Sequence, residues 1–434
     1  MWGCTLGAGR SSSDTGGTSD TSGALRRRWT SWCALVVLAV GLTGCAASRG
    51  DDAARSTAVR EVIAHVLSTR AAALRDADVV RWQTTVTDPS SSVGEREVEA
   101  FNTLRSLGVA SLEVVGVVSV DPGGWPVSAR AVVDLGYAVP GVDRGMRVAR
   151  RTIAITGGAA PTMTWLSAVD SLEVFDLGRL GVSRRGEVIV ASAPSTAGAS
   201  TESPEAQAWL DRVVAARSRV TDVFGAAPPV LVVVPAQPTD FARLVKRTTS
   251  DGSEVIAAVT EGARPAGVAA PADRVIVNPT VMARLSAEGM TVVLAHELTH
   301  VSLRGVPPRE MPLWWSEGCA EWTAYRGVTV PVTVRWKAAI DRHRASSTWP
   351  HELPSDRDFD SSSAQFGTAY VVSELAVTLL VQAHGPDVCR RLAAPEHAID
   401  GATSTGEQQG QLATSQAALV GEVRGFLAQL AAVP

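Results

Sequence analysis

The stretch His296-Glu297-Leu298-Thr299-His300 decides how the second half of this 434-residue chain is read. Residues four apart on an α-helix lie one above the other, so both imidazoles share a face and Glu297 projects beside them. That spacing holds a metal ion and a general base together, although the five residues alone fit a solvated helix face equally well. The surroundings predict a helix over residues 286–303, with Leu294, Leu298 and Val301 as an apolar stripe beside the histidine face. Gly305 is placed to cap its C-terminus and Pro307-Pro308 to stop it. A helix ending soon after His300 lets the chain return with a third ligand, which a catalytic zinc ion needs beside its water.

Such a ligand follows. In Met311-Pro312-Leu313-Trp314-Trp315-Ser316-Glu317-Gly318-Cys319-Ala320-Glu321-Trp322, a helix can start at Pro312. Glu317 lies seventeen positions after His300, and Glu321 one turn further on. One carboxylate could bind a metal while the other accepts the free ring N–H of a ligand histidine. The plain alternative is a solvated i,i+4 pair, but like charges at that spacing repel and gain nothing without a shared cation.

Together the two segments resemble the gluzincin metallopeptidases, in particular the peptidase MA-like group that joins HExxH to W-x-x-E-G-x-A-E. The resemblance implies that His296, His300 and Glu317 bind Zn2+, that Glu297 is the catalytic base and that Glu321 is the outer carboxylate. It implies hydrolysis of a peptide or protein substrate, with Glu297 moving a proton from an activated water to the leaving amine. It also points to Tyr370, at the start of a helical run over residues 371–382, as the donor to the developing oxyanion; a buried core tyrosine is the equal alternative. His384, near the end of that run, ranks below Tyr370. The aminopeptidase branch carries a G-x-M-E-N segment ahead of HExxH. Residues 255–290 hold no counterpart, which favours an endopeptidase or a narrow dedicated substrate.

The N-terminus bears on location. Arg26-Arg27-Arg28 precedes an apolar run over residues 32–44, too short to span a membrane comfortably and right for the core of a signal peptide. It ends in Leu42-Thr43-Gly44-Cys45, which looks like a bacterial lipobox with Cys45 as the lipidated residue. An uncleaved anchor and a non-lipidated signal are the alternatives; all three place the later residues outside the cytoplasm, and the lipidated reading anchors them to the cell membrane. Of five cysteines, Cys319 and Cys389 remain for the folded part. They could form a disulfide there or stay as two buried thiols. Cys319 is a poor zinc ligand, because two positions after Glu317 it points away on a helix. Only Lys246 and Lys337 are lysines, and the Ala, Val, Gly and Arg content fits a GC-rich genome such as an actinobacterium's. A net charge of −4 with no basic cluster gives no support to nucleic-acid binding.

The expected organisation is α+β throughout: a lipoprotein signal peptide (1–45), a tether (46–55), a first domain (56–178) and a metallopeptidase domain (182–434). In the first domain, helical patterns at 59–77 and 97–107 precede alternating strands at 111–120, 127–137, 147–156 and 162–168. Helices before an antiparallel sheet resemble the nuclear-transport-factor-2-like (cystatin-like) cone, which can hold a ligand or serve as a spacer. The second domain reads as strands at 187–193, 230–234, 255–260 and 274–279, a helix at 205–224 and then the motif helices. This predicts a small mixed sheet of thermolysin-like, gluzincin type, with residues 257–277 including the strand that lines the substrate cleft, or else an ordinary edge strand. From 328 to 361 the pattern weakens, and 355–363 is polar and loop-like. Residues 415–431 read as a closing amphipathic helix. Beside the peptidase stand two other readings, a zinc-containing envelope lipoprotein that only binds or senses, and a ligand sensor built on the cone.

Overall fold

The computed structural model describes residues 42–168, 172–194, 203–245, 258–261, 273–304, 312–393 and 406–432. They form a mixed α+β structure with two small sheets. The chain begins with helices α1 (Leu42–Asp76), α2 (Val79–Gln83) and α3 (Ser92–Ser106), followed by strands β1 (Glu113–Asp121), β2 (Ala129–Tyr137), β3 (Arg147–Thr156) and β4 (Thr162–Ala168). The strands pair antiparallel in chain order, as a meander. Val59, Ile63, Val66 and Leu67, spaced to share one face of α1, pack on the inward side of β2 and β3, where Ala131, Val133, Leu135, Ile153 and Ile155 alternate with outward residues. Two register shifts in β1, around Val115 and Val118, mark bulges of the kind that bend a strand. Beneath the sheet the Arg70 guanidinium lies between the rings of Trp82 and Trp165, 4.7 and 5.1 Å from their centroids, and pairs with Glu97 at 2.6 Å.

Helix α1 starts well before the apolar pattern that predicts it. Residues 46–55, expected as a tether, belong to its first turns, and 51–55 are exposed. Their alanines and charged residues favour helix without presenting an apolar stripe, so periodicity alone does not find them. The lipobox-like Leu42-Thr43-Gly44-Cys45 is the first turn of α1, and the rest of the expected signal peptide lies outside the described residues.

A 3₁₀ turn (Val174–Leu177) leads to the second sheet, formed by β5 (Gly181–Arg185), β6 (Val188–Ser192), β7 (Val230–Val234), β8 (Ala258–Glu261) and β9 (Arg274–Val277). Helices α4 (Pro204–Phe224) and α5 (Pro238–Leu244) interrupt it, and α6 (Pro279–Met282) and α7 (Ala287–Arg304) follow. The order is β5-β6-β7-β9-β8; β6, β7 and β9 run parallel, while β5 and β8 pair antiparallel at the edges. The apolar run Val230-Leu231-Val232-Val233-Val234 has a simple cause, since both faces of the sheet are covered. Val188, Val190, Val230, Val232, Val275 and Val277 face α4 and α7. Ile189, Ala191, Leu231, Val233 and Ile276 face the other way, into a core shared with Leu74, Trp82, Phe101, Leu104, Tyr137 and Phe175 of the first half. One continuous core therefore crosses residues 178–182, where the sequence suggests a boundary. Strand β5, short and half polar, has no counterpart among the expected strands.

The remaining helices are α8 (Leu313–Ala324), α9 (Val332–Arg335), α10 (Lys337–Ala345), α11 (Phe366–His384), α12 (Val388–Ala393) and α13 (Gly406–Ala431), with a 3₁₀ turn at Asp356–Phe359. The weakly patterned region 328–361 is thus partly helical: Trp336, Ile340 and His343 are spaced as one buried face of α10. Helix α11 is the one described helix long and apolar enough to cross a membrane. Here it is a core helix, packed on α8, α10 and α13 and carrying buried Ser373 and Glu374.

Candidate metal centre

Helix α7 runs over Ala287–Arg304, one residue from its expected start, and buries Leu294, Leu298 and Val301 against the sheet. The neighbouring face presents His296, Glu297 and His300, each almost fully buried. Helix α8 lies alongside. Pro312 is its N-cap residue, and the carboxylate of Asp356, from the 3₁₀ turn, accepts the Leu313 N–H at 3.1 Å. At the other end Arg219 of α4 donates to the Ala324 carbonyl at 2.7 Å. Both ends of the helix are therefore satisfied by side chains from distant segments.

This arrangement brings His296 Nε2, His300 Nε2 and one oxygen of Glu317 into a triangle. The imidazole nitrogens are 3.0 Å apart, and Glu317 Oε2 lies 3.2 Å from the first and 3.3 Å from the second. Three near-equal sides bring two imidazole nitrogens and a carboxylate oxygen to face one common point. A cation outside the plane can take a lone pair from each. His296, His300 and Glu317 form a buried group able to hold a metal ion.

The second ring nitrogen of His296 supports this. Its Nδ1 is 3.3 Å from Glu321 Oε1, so a proton held there donates to the carboxylate and leaves Nε2 with its lone pair toward the triangle. Burial by itself would raise the Glu317 carboxyl, but the His300 and His296 rings beside it hold it down to about 2. Its ionised form is the one a metal would meet.

Tyr370, in the first turns of α11, is brought to the same place. Its ring is buried, 6.3 Å from the His296 ring, and edge-on to Phe359 and Phe366 at 5.2 and 5.4 Å. His384 is not brought there: it is the exposed last residue of α11, fourteen positions and about 21 Å of helix from Tyr370. Cys319 and Cys389 are bonded to each other, with Cα atoms 5.9 Å apart, tying α8 to α12. Cys319 points into an apolar cluster with Leu303, Trp315 and Val377, away from the triangle. Strand β8, within the segment expected to line the cleft, is an edge strand packed against α7; residues 262–272 lie outside the described residues, as do Gly305 and Pro307-Pro308.

Three features of the site go unread in the sequence. Gly318 packs directly on α11: a Cβ there would sit 2.5 Å from the Ser373 carbonyl oxygen. The glycine beside Glu317 sets the distance between the helices. Glu374, one turn after Tyr370, accepts from Trp336 Nε1 at 2.5 Å and pairs with Arg335 at 2.8 Å. Burial, opposed by Arg335 and reinforced by Glu321, pushes its carboxyl up to about 7. Arg335 in turn stacks over the ring of Tyr325, at 4.4 Å. The signal for Glu374 is its i,i+4 spacing from Tyr370, which repeats that of Glu317, Glu321 and Tyr325 on α8. No family model, curated protein or solved structure matches this chain.

Proposed function

We propose that the chain is a zinc-dependent metallopeptidase of the gluzincin kind, acting outside the cytoplasm and attached to the cell membrane through a lipid on Cys45. The observation that carries the proposal is the triangle of His296, His300 and Glu317 with Glu321 behind it. Zinc bonds of about 2.0–2.1 Å in a tetrahedron place ligand atoms about 3.3 Å apart, close to the 3.0, 3.2 and 3.3 Å sides here. With these three residues as its protein ligands, a zinc ion would keep a place for water or substrate. The thermolysin-like and cone-like readings of the two halves agree with their sheets, a mixed one beside the motif helix and an antiparallel meander covered by helices.

A zinc ion so held would lower the pKa of a water toward neutrality and polarise a substrate carbonyl. The chain's own groups do the rest. Glu297, buried beside both histidines, takes the water's proton and passes it to the leaving amine. Tyr370 donates from its hydroxyl to the oxygen on which charge develops. Glu321 fixes the tautomer and orientation of His296. Edge strand β8 offers backbone groups to an extended peptide.

The test measures zinc content and hydrolysis of a broad peptide library by the full chain and by Glu297→Ala. Both bind one zinc per chain, and the variant loses about 10²–10⁴-fold in rate. Zinc in both proteins with cleavage by neither leaves a binding or sensing lipoprotein and refutes the peptidase.

A further inference from the structure

The reading of the centre as a metal site leaves Glu374, Arg335 and Trp336 without a role, although Glu374 and Trp336 are almost fully buried one layer behind it and Arg335 is half-buried beside them. Helix α8 presents Glu317, Glu321 and Tyr325 at successive turns, and α11 presents Tyr370 and Glu374 likewise. The first rung between the helices is the metal triangle with Tyr370. The second is Glu321, in contact with His296 Nδ1. In the third, Arg335 reaches in from α9, stacked on Tyr325 at 4.4 Å and on Trp336 at 5.0 Å. Glu321, Glu374, Arg335 and His296 all act electrostatically on the Tyr325 hydroxyl.

Arg335 is stacked on Tyr325, and two carboxylates act on that same residue, Glu321 and Glu374. Were Arg335 to pair with Glu321, it would draw that carboxylate off His296 and leave the imidazole unoriented. Instead both oxygens of Glu374 are engaged, Oε1 by Arg335 and Oε2 by Trp336 Nε1. We propose that Glu374 is a positioning residue for the metal centre: by holding Arg335 it keeps the guanidinium from competing with His296 for Glu321. The effect passes through Arg335 and Glu321 and involves no contact with substrate or metal. This inference rests on the metal-centre reading and adds to it a reason for the third rung.

The experiment titrates metal-free full-length protein with Co2+ against a competing chelator and records the visible absorption of the complex, which reports ligand geometry. Glu374→Gln keeps the volume and an acceptor for Trp336 but frees Arg335. Its Co2+ affinity falls about tenfold, at unchanged stoichiometry, and the spectrum shifts. Removing the competitor as well, in Glu374→Gln/Arg335→Met, restores affinity to within about threefold of wild type and brings the spectrum back. Arg335→Met alone deletes the same ion pair yet stays within about threefold of wild type. A merely structural ion pair predicts that all three variants lose thermal stability and metal affinity together, and that pattern overturns the proposal. So does Glu374→Gln with wild-type affinity and spectrum. If the wild-type chain takes up neither Co2+ nor Zn2+, the metal-centre reading fails first and this inference with it.

Discussion

Two buried polar clusters in this molecule solve the cost of burying charge in opposite ways. At the junction of the two sheets, Arg274 of β9 reaches Asp143 at 3.5 Å and Glu173 at 3.4 Å, and donates to the Tyr137 hydroxyl at 2.9 Å. Tyr137 donates to Glu173, Arg147 approaches Glu173 at 3.9 Å, and Arg151 pairs with Asp176 at 2.5 Å. Three arginines meet three carboxylates, and the cluster neutralises itself. At the α7–α8 face, Glu317 and Glu321 meet imidazoles only; among the described residues no arginine or lysine pairs with either. A buried cluster that balances its own charge holds the fold together. One that converges lone pairs and lacks a fixed cation could hold one.

The largest effects separate the two clusters. Arg274→Met leaves the buried carboxylates of Asp143 and Glu173 short of a partner, and breaking such a group costs about 3–5 kcal/mol. Denaturant unfolding measures it, and saturating zinc leaves the deficit unchanged. A loss under about 1 kcal/mol breaks the contrast, because the junction would then not depend on its own charges. The metal centre behaves conversely. Zinc at about 1,000 times its dissociation constant raises the unfolding free energy of the wild-type chain by about 4 kcal/mol and that of Glu317→Ala not at all. Equal stabilisation of both proteins would move the metal away from the triangle.

An intermediate effect tests how the site is spaced. The Cβ of Gly318→Ala meets the Ser373 carbonyl, a backbone atom that cannot rotate aside, so α8 and α11 must separate. Overpacking of this kind costs about 1–3 kcal/mol. Because Glu317 is the adjacent residue, zinc affinity falls together with stability. A variant that loses stability but keeps wild-type affinity shows that α8 holds Glu317 independently of α11.

What the sequence reveals of these regions follows from the range of each signal. Strands β3, β4 and β7 and helix α7 are legible to within a residue, because each carries its own periodicity or an unbroken apolar run. The buried group of His296, His300 and Glu317 is legible because its members sit on two helices at fixed spacings, with Glu321 one turn after Glu317. The junction cluster is not: Tyr137 and Arg274 are 137 positions apart, and each alone reads as an ordinary strand residue. Helix α10 escapes because its buried face is built from Trp336, Ile340 and His343, with charged residues between them. Glu374 escapes for a related reason, as its partners Arg335 and Trp336 come from that same region. Gly318 sits inside the motif itself, yet only the backbone of α11 shows why a side chain is excluded.

The smallest effect lies on the outward face of the first sheet, where Arg150 of β3 meets Asp134 of β2 in two parallel bonds of 2.7 and 2.9 Å. The geometry is better than that of either buried cluster, but the arginine is more than a third exposed, so water screens the pair. Asp134→Asn therefore costs no more than about 1 kcal/mol near neutral pH. The sign of its pH dependence is set by Arg150, whose hydrogen bonds hold the Asp134 carboxyl below its ordinary value. A carboxyl lowered in the folded state contributes stability above its unfolded pKa of about 3.9, and the contribution disappears as the pH falls through the folded value. Unfolding of wild type and Asp134→Asn should thus differ slightly at pH 7 and converge in acid. A cost as large as that of Arg274→Met would mean that good geometry outweighs burial, and the contrast between self-balanced and open clusters would lose its physical basis.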